Sequence, residues 1–355
     1  MSDIVRYGII GTGMMGCEHI RNLALVPGAK VTAIADPHEP SRRWGRLAAG
    51  EGVEVYEDPR ELLAKAPVDA VVVATPNYTH FDVLQAVFET HKHVLIEKPL
   101  CTTVEDCFRV VDAAAKHPGL VWVGMEYRFM RPVWRLIEEV RGGAIGRLRM
   151  LAIREHRFPF LRKVDDWNRF SRNTGGTLVE KCCHFFDLMN LLTTQRPVRV
   201  YASGGMDVNH LDERYGGEKP DILDNAYVVV DYEEGARALL DLCMFAENST
   251  NELEIAVTGD RGKAEAFLPA HTLVLTRRDR DEPASIGFKV DPRAKQAGAH
   301  HGSTLLEHLA FLAAIRTGGK PIVSALDGAL AVGIGAAGER SAREKRPVEL
   351  SELGF

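Results

Sequence analysis

A chain of 355 residues exceeds what one hydrophobic core usually supports, so two domains are expected. Its 45% hydrophobic and 26% charged residues are the balance of an ordinary globular protein, and 44 Lys and Arg against 49 Asp and Glu leave a net charge of -5. That charge offers nothing to a nucleic-acid backbone, and the partner expected is a small soluble molecule.

The chain enters a strand pattern at Ile4 to Ile10 without a basic, signal-like run, and a cytoplasmic protein is expected. No segment comes near ~18 uninterrupted apolar residues, so no membrane partner is expected. Six cysteines without a CxxC pair read as reduced thiols.

Val5 to Ile10 runs directly into Gly11-Thr12-Gly13-Met14-Met15-Gly16, and Cys17 to Leu25 then reads as a helix. Strand, glycine turn and helix in that order give the GxGxxG spacing its meaning. Gly11 permits the tight turn, Gly13 the approach of a pyrophosphate, and Gly16 the packing of helix on strand. The anion would rest on the helix N-terminus. The next strand, Lys30 to Ala35, delivers Asp36 20 residues after Gly16. A carboxylate there accepts ribose hydroxyls and repels a 2′-phosphate, which favours NAD over NADP. Two alternatives stay open: Asp36 as a helix cap before Pro37, and Arg42 or Arg43 as a phosphate ligand.

Alternation of strand and helix continues as a parallel-sheet signature. Asp58-Pro59-Arg60-Glu61 opens a helix, Val68 to Ala74 is a buried-type strand ending in Thr75-Pro76-Asn77, and Thr79 to Thr90 is helical. Val94 to Ile96 is the next strand, Thr102-x-x-Glu105 caps a helix to about Lys116, and Leu120 to Gly124 is another strand. The run Val94 to Leu100 therefore carries Glu97-Lys98-Pro99 to the carboxyl edge, where open α/β sheets bind ligands. Proline fixes the turn behind the ammonium. The alternative for Glu97-Lys98 is a surface ion pair at a strand end.

Beyond Tyr127-Arg128-Phe129 and a helix from Pro132 to Arg141 the texture becomes β-rich. Strands are expected at 147–156, 198–204, 225–232, 236–247, 252–259, 263–267 and 272–277. The turns Glu233-Glu234-Gly235 and Gly259-Asp260-Arg261-Gly262 make the sheet largely antiparallel. Two helices, 303–317 and 326–343, precede a short strand at 347–350. Several apolar strands with few helices to cover them predict a homodimer or homotetramer packed through the sheet.

Within this half lies Gly175-Gly176-Thr177-Leu178-Val179-Glu180-Lys181-Cys182-Cys183-His184-Phe185-Phe186-Asp187. Glu180 and His184 are four apart on one helical stripe, with Asp187 beyond them. A carboxylate beside an imidazole fixes its tautomer and raises its basicity, which suits removal of an alcohol proton. The competing account is a Thr177-x-x-Glu180 capping box. Cys182, Cys183 and His184 are adjacent and diverge around a helix, so no metal site is expected.

These features together resemble the Gfo/Idh/MocA oxidoreductase family. The resemblance rests on Gly11-x-Gly13-x-x-Gly16, Ala74-Thr75-Pro76-Asn77-x-x-His80, Glu97-Lys98-Pro99, the Gly175 to His184 segment and Ser341 to Leu350. It implies an α/β protein with an N-terminal Rossmann domain, here 1–125, and a C-terminal α/β domain on a large, open, mostly antiparallel sheet, here 126–355. The C-terminal helix and tail are the part that would pack back on the first domain. It implies oxidation of a secondary hydroxyl of a sugar, sugar derivative or cyclitol with NAD or NADP, or the reverse reaction, and Asp36 makes NAD the expected cofactor. Lys98 matches the catalytic lysine and His184 the proton-exchanging histidine. Glu180 stands where family members often have Asp.

Thr12, Met14, Met15, Thr75, Pro76, Asn77, His80 and Glu97 join Gly11, Gly13, Gly16, Asp36 and Lys98 as implied cofactor contacts. Tyr127, Arg128, Asp166, Trp167, Asn168, Lys181 and His301 are the implied substrate contacts beside Lys98 and His184. Two alternatives belong to the same scaffold: NAD-dependent glycoside modification or cleavage through a 3-keto-sugar, and a non-catalytic nicotinamide-binding regulator.

Overall fold

A computed structural model describes residues 4–298 and 300–355 and resolves two compact units, Met1–Phe129 with Val290–Ala329, and Met130–Lys289 with Leu330–Phe355. The first begins with β1 (Val5–Ile10), α1 (Met14–Leu23), β2 (Ala29–Ala35), α2 (Glu39–Ala49), β3 (Glu54–Tyr56), α3 (Pro59–Lys65), β4 (Ala70–Val73), α4 (His80–Phe88), β5 (His93–Glu97), α5 (Val104–Ala114) and β6 (Val121–Gly124). Its six strands are parallel in the order β3-β2-β1-β4-β5-β6, the doubly wound arrangement, with the order reversing between β1 and β4. Every residue of β4 is buried, as helices on both faces of a parallel sheet require. Ile9, Ile10, Ile34, Val72 and Leu95 are wholly buried and contribute about 1.5–3 kcal/mol each.

Local signals worked well in this part, with identifiable shifts. Asp58 caps α3 by accepting the Arg60 N–H. The cap of α5 is Thr103, which accepts the Asp106 N–H at 3.2 Å, rather than Thr102 with Glu105; two adjacent threonines made the register ambiguous. Helix α1 starts at Met14, directly on the glycine turn and three residues before its expected start. Strand β3, three residues long, and the largely polar helix α2 were not among the expected elements.

The second unit contains α6 (Arg131–Arg141), β7 (Leu148–His156), α7 (Ser171–Thr174), α8 (Thr177–Glu180), α9 (Cys183–Thr193), β8 (Pro197–Gly205), β9 (Asn225–Tyr232), β10 (Arg237–Cys243), β11 (Leu253–Gly259), β12 (Gly262–Leu268), β13 (Thr272–Arg277) and β14 (Ala284–Gly287). The chain closes with α10 (Pro292–Ala297), α11 (Ser303–Thr317), α12 (Ala325–Glu344) and β15 (Val348–Glu349). Nine strands form one sheet, β14-β13-β12-β11-β7-β10-β9-β8-β15, antiparallel except for the β7–β10 pair. The expected hairpins join β9 to β10 and β11 to β12, and β15 returns the C-terminus to β8.

Alternation along these strands buries Ala226, Val228, Val230, Leu240 and Ile255 while Tyr201, Tyr227, Val229, Leu239 and Met150 stay exposed. Of the C-terminal segment, α10 and α11 belong with the first unit, whereas residues 330–355 stay with the second. No helix among the described residues is long and apolar enough to cross a membrane.

Candidate active site

The glycine turn is built as its spacing requires. Gly11 has φ +87, and a Cβ there would fall 2.6 Å from the Ala74 carbonyl carbon; at Gly16 one would fall 1.9 Å from the Gly11 oxygen. A Cβ on Gly13 would meet nothing within 4 Å, so the backbone is approachable at that point. Gly13 is also the N-cap of α1, where no side chain caps the first N–H groups. An open cradle at an uncapped helix N-terminus fits the pyrophosphate of NAD. Met14 is exposed and Met15 half-buried beside it.

Asp36 leaves the end of β2 and fastens both sides of this cradle. Its carboxylate accepts the Thr12 N–H at 2.7 Å and the His38 N–H at 2.8 Å. Arg42 is committed elsewhere, donating to the Asp36 and Pro37 carbonyls at 2.8 Å and pairing with Glu57 at 2.7 Å. Arg43 pairs with Glu39. Both arginines thus have local acceptors, and the carboxylate dominates the position that distinguishes the two cofactors.

The next two strand ends lie along the same carboxyl edge. Thr75 and Pro76 precede a 3-10 turn, Asn77–Thr79, in which the Thr79 hydroxyl donates to the Pro76 carbonyl at 2.7 Å. His80 is fully buried, with Nδ1 2.8 Å from the Pro99 oxygen and Nε2 3.0 Å from the Thr75 oxygen. Burial pushes its pKa down, and a neutral ring donates to one of these carbonyls at a time. It therefore ties the Thr75 turn to the turn after Lys98, a structural role alongside the expected cofactor contact.

Glu97 is the last residue of β5 and Lys98 follows it, with a cis Lys98–Pro99 peptide. The Lys98 N–H donates to Glu97 Oε2 at 3.2 Å, and His19 of α1 sits 2.7 Å from Oε1. Burial pushes the Glu97 carboxyl up, but the His19 hydrogen bond and the charge of Lys98 outweigh it and hold it below the ordinary range. Around Glu97 a buried polar cluster gathers His308, 2.8 Å from His19, and the pair Glu18–His300 at 2.7 Å. Burial pushes Glu126 up to about 7. None of Glu18, His19, His300, Glu307 or His308 was a sequence-level candidate. The only available signal was His19, one helical turn past Gly16.

Tyr127 and Arg128 are both buried in the 3-10 turn Glu126–Phe129. The Arg128 guanidinium donates to the Ile322 carbonyl at 2.7 Å and lies 3.4 Å from Asp327, so part of its capacity is structural. His301 precedes α11 with φ +56.

In the second unit, Asp166 has φ 52 and pairs with Arg162 at 2.7 Å. That bond holds its carboxyl below the ordinary range. The Trp167 carbonyl accepts the Asn173 amide, and buried Asn168 donates to the Leu161 carbonyl at 3.0 Å. Gly175 and Gly176, at φ 81 and 93, turn the chain from α7 into α8.

The capping box that was the competing account for Glu180 is not formed. Gly176 is the N-cap, the Thr177 hydroxyl donates to the Leu223 carbonyl at 2.6 Å, and Glu339 of α12 accepts the Leu178 N–H at 2.9 Å. A distant carboxylate took the helix end because glycine at the N-cap leaves no local acceptor.

Nor is 177–187 one helix: it breaks at Lys181 and Cys182, so Glu180 ends α8 and His184 lies in the first turn of α9, both buried. Asp187 follows one turn later. Lys181, an expected substrate contact, is buried and pairs with Glu155 of β7 at 2.8 Å.

Comparison with known proteins agrees with this architecture. Residues 5–125 match the model for the oxidoreductase family, NAD-binding Rossmann fold, and residues 137–350 match its C-terminal alpha/beta domain. A myo-inositol 2-dehydrogenase of Thermotoga maritima is 31% identical over 351 residues, covering 98% of this chain and 99% of its own. Among solved structures, a levoglucosan dehydrogenase in complex with NADH superposes at TM-score 0.86 with 20% identity, over 98% of this chain and 99% of that one. The scyllo-inositol dehydrogenase of Lactobacillus casei, with bound NAD(H) and scyllo-inositol, does so at 0.80 and 21%, over 98% of this chain and 100% of that one. The chain belongs to the Gfo/Idh/MocA oxidoreductase family, with an NAD-binding Rossmann fold followed by that family's C-terminal α/β domain.

Proposed function

We propose that this oxidoreductase moves a hydride between NAD and a secondary ring hydroxyl of a cyclitol, or of a sugar of similar shape. The observation that carries the reading is Lys98 at the carboxyl end of β5, on the sheet edge that also holds the glycine turn and Asp36. When bound, NAD supplies the hydride acceptor. Lys98 places an ammonium against the oxygen whose negative charge develops. His184 takes the hydroxyl proton, and Glu180 sustains its basicity. Gly11 to Gly16, Asp36, Thr75 to Asn77 and Glu97 hold and orient the cofactor. Tyr127, Arg128, Asp166, Trp167, Asn168 and His301 are the substrate contacts proposed with them, and Lys181 acts through Glu155 on the shape of the wall. The exposed residues Tyr201, Tyr227, Val229, Leu239 and Met150 support assembly as a dimer or tetramer through the open sheet face.

Similarity to a full-length myo-inositol 2-dehydrogenase supports a cyclitol first. A regulator would need neither Lys98 nor His184, and both are present. NADH fluorescence during a screen of inositols, pyranoses, anhydrosugars and glycosides tests the reading. Net NADH formation with a cyclitol or sugar is expected; glycoside cleavage without net NADH, or cofactor binding with no turnover of any compound, would overturn it.

A further inference from the structure

His19 and His308, which continue from Glu97, have no part in the reading above, and what they imply rests on that reading only in giving Lys98 the catalytic ammonium. His19 sets Nε2 2.7 Å from Glu97 Oε1 and Nδ1 2.8 Å from Nε2 of His308. All three side chains are buried. The remaining ring nitrogen, His308 Nδ1, has no hydrogen-bond partner among the described residues.

That bare atom decides where the protons are. Were His19 an imidazolium, its Nδ1–H would donate to His308 Nε2, and the proton of His308 would sit on Nδ1 as a buried N–H with no acceptor. The same orphan arises if Glu97 is a neutral acid donating to His19. Orphaned buried N–H groups are rare. Only one pattern avoids one: His308 Nε2–H donates to His19 Nδ1, and His19 Nε2–H donates to Glu97. Burial, which pushes His308 well below its ordinary range, agrees with a ring carrying one proton.

We propose that His19 and His308, both neutral with hydrogen on Nε2, are positioning residues that aim two N–H groups in series at Glu97 and hold it as a carboxylate beside the Lys98 ammonium. Because neither ring is charged, Glu97 keeps its full negative charge for its neighbour. The surrounding groups leave that charge in place. Glu18 and Glu126 face His300, at 2.7 and 3.9 Å. Burial pushes the carboxyl of Glu307, which accepts the Trp122 N–H, well above its ordinary range, and pushes His80 below its own. The relay also ties the helix of the glycine turn to the strand end that carries Lys98.

Protein labelled with 15N-histidine, read by long-range 1H–15N correlation at pH 7, tests the proposal; His19→Gln and His308→Gln assign the two signals among 13 histidines. Both rings are expected as neutral Nε2–H tautomers, and an imidazolium signature for His19 or an Nδ1–H on either ring overturns the proposal. This readout needs neither substrate nor cofactor, so it stands or falls separately from the proposed activity. Followed by its carboxyl 13C shift in 13C-glutamate-labelled protein, Glu97 of His19→Ala is expected to titrate about one to two pH units higher than in the wild type, because without its donor it binds a proton more readily. His19→Gln, which returns an N–H to the same oxygen, is expected to restore the wild-type titration. An unmoved Glu97 titration in a folded His19→Ala protein overturns the positioning role.

Discussion

Replacing Asp36 with alanine separates its two duties, holding the turn and choosing the cofactor. The carboxylate accepts the Thr12 and His38 N–H groups at 2.7 and 2.8 Å, and hydrogen bonds to a charged acceptor contribute about 1.5–3 kcal/mol each. Asp36 is 8% exposed, so water reaches the vacated donors only in part. The first unit should therefore lose about 2–4 kcal/mol of stability. NAD, deprived of its ribose acceptor, should bind about 10–150-fold more weakly. NADP loses no such bond and is relieved of repulsion, so the preference for NAD should shrink by at least about tenfold. Fluorescence titration of both cofactors against wild type and variant, with urea unfolding alongside, measures all three quantities. Equal affinity for NAD and NADP in the wild type, or an unchanged ratio in the variant, would refute the assignment of Asp36.

Lys98→Met and His184→Ala should each lower kcat about a hundredfold or more while NAD affinity stays within a few-fold, because neither side chain is needed at the pyrophosphate; an active His184→Ala enzyme with a normal pH profile would remove the base. Since no capping box occupies Glu180, Glu180→Gln should move the acid limb of the rate profile to lower pH as His184 loses basicity, and an unmoved limb would assign Glu180 to structure alone. Burial pushes the Glu339 carboxyl up to about 7 from an ordinary value of 4.5. The folded protein then keeps a proton that the unfolded chain has released, so this group's contribution is full below the ordinary value and falls by up to ~3 kcal/mol as pH rises toward 7. Glu339→Gln, which still accepts the Leu178 N–H, should flatten that decline in unfolding free energies measured between pH 5 and 7.5; an unaltered slope would contradict the burial argument. Light scattering should give a multiple of 39.2 kDa for the wild type and a smaller species for Tyr227→Glu with Leu239→Glu, whereas a wild-type monomer at micromolar concentration would exclude assembly through the sheet face.

What the sequence determined by itself is what short range dictates. Glycines that cannot carry a Cβ, a proline behind Lys98, alternating apolar residues in β9 and β10, and the unbroken apolar run of β4 each act within a few residues, so β1, the glycine turn, Asp36 and the strand end at Glu97 were legible with near-correct bounds. The tertiary structure decided where an interaction partner comes from. Thr177-x-x-Glu180 satisfied the local rule for a capping box, yet the helix end went to Glu339, 161 residues from Leu178, and the expected continuous helix broke before His184. Lys181 was expected as a substrate contact and is a buried partner of Glu155. The Glu97–His19–His308 relay spans α1, β5 and α11, with 78 residues between its first pair and 289 between its second. Burying a carboxylate and two imidazoles is tolerable only where all three meet, and only the folded chain brings them together.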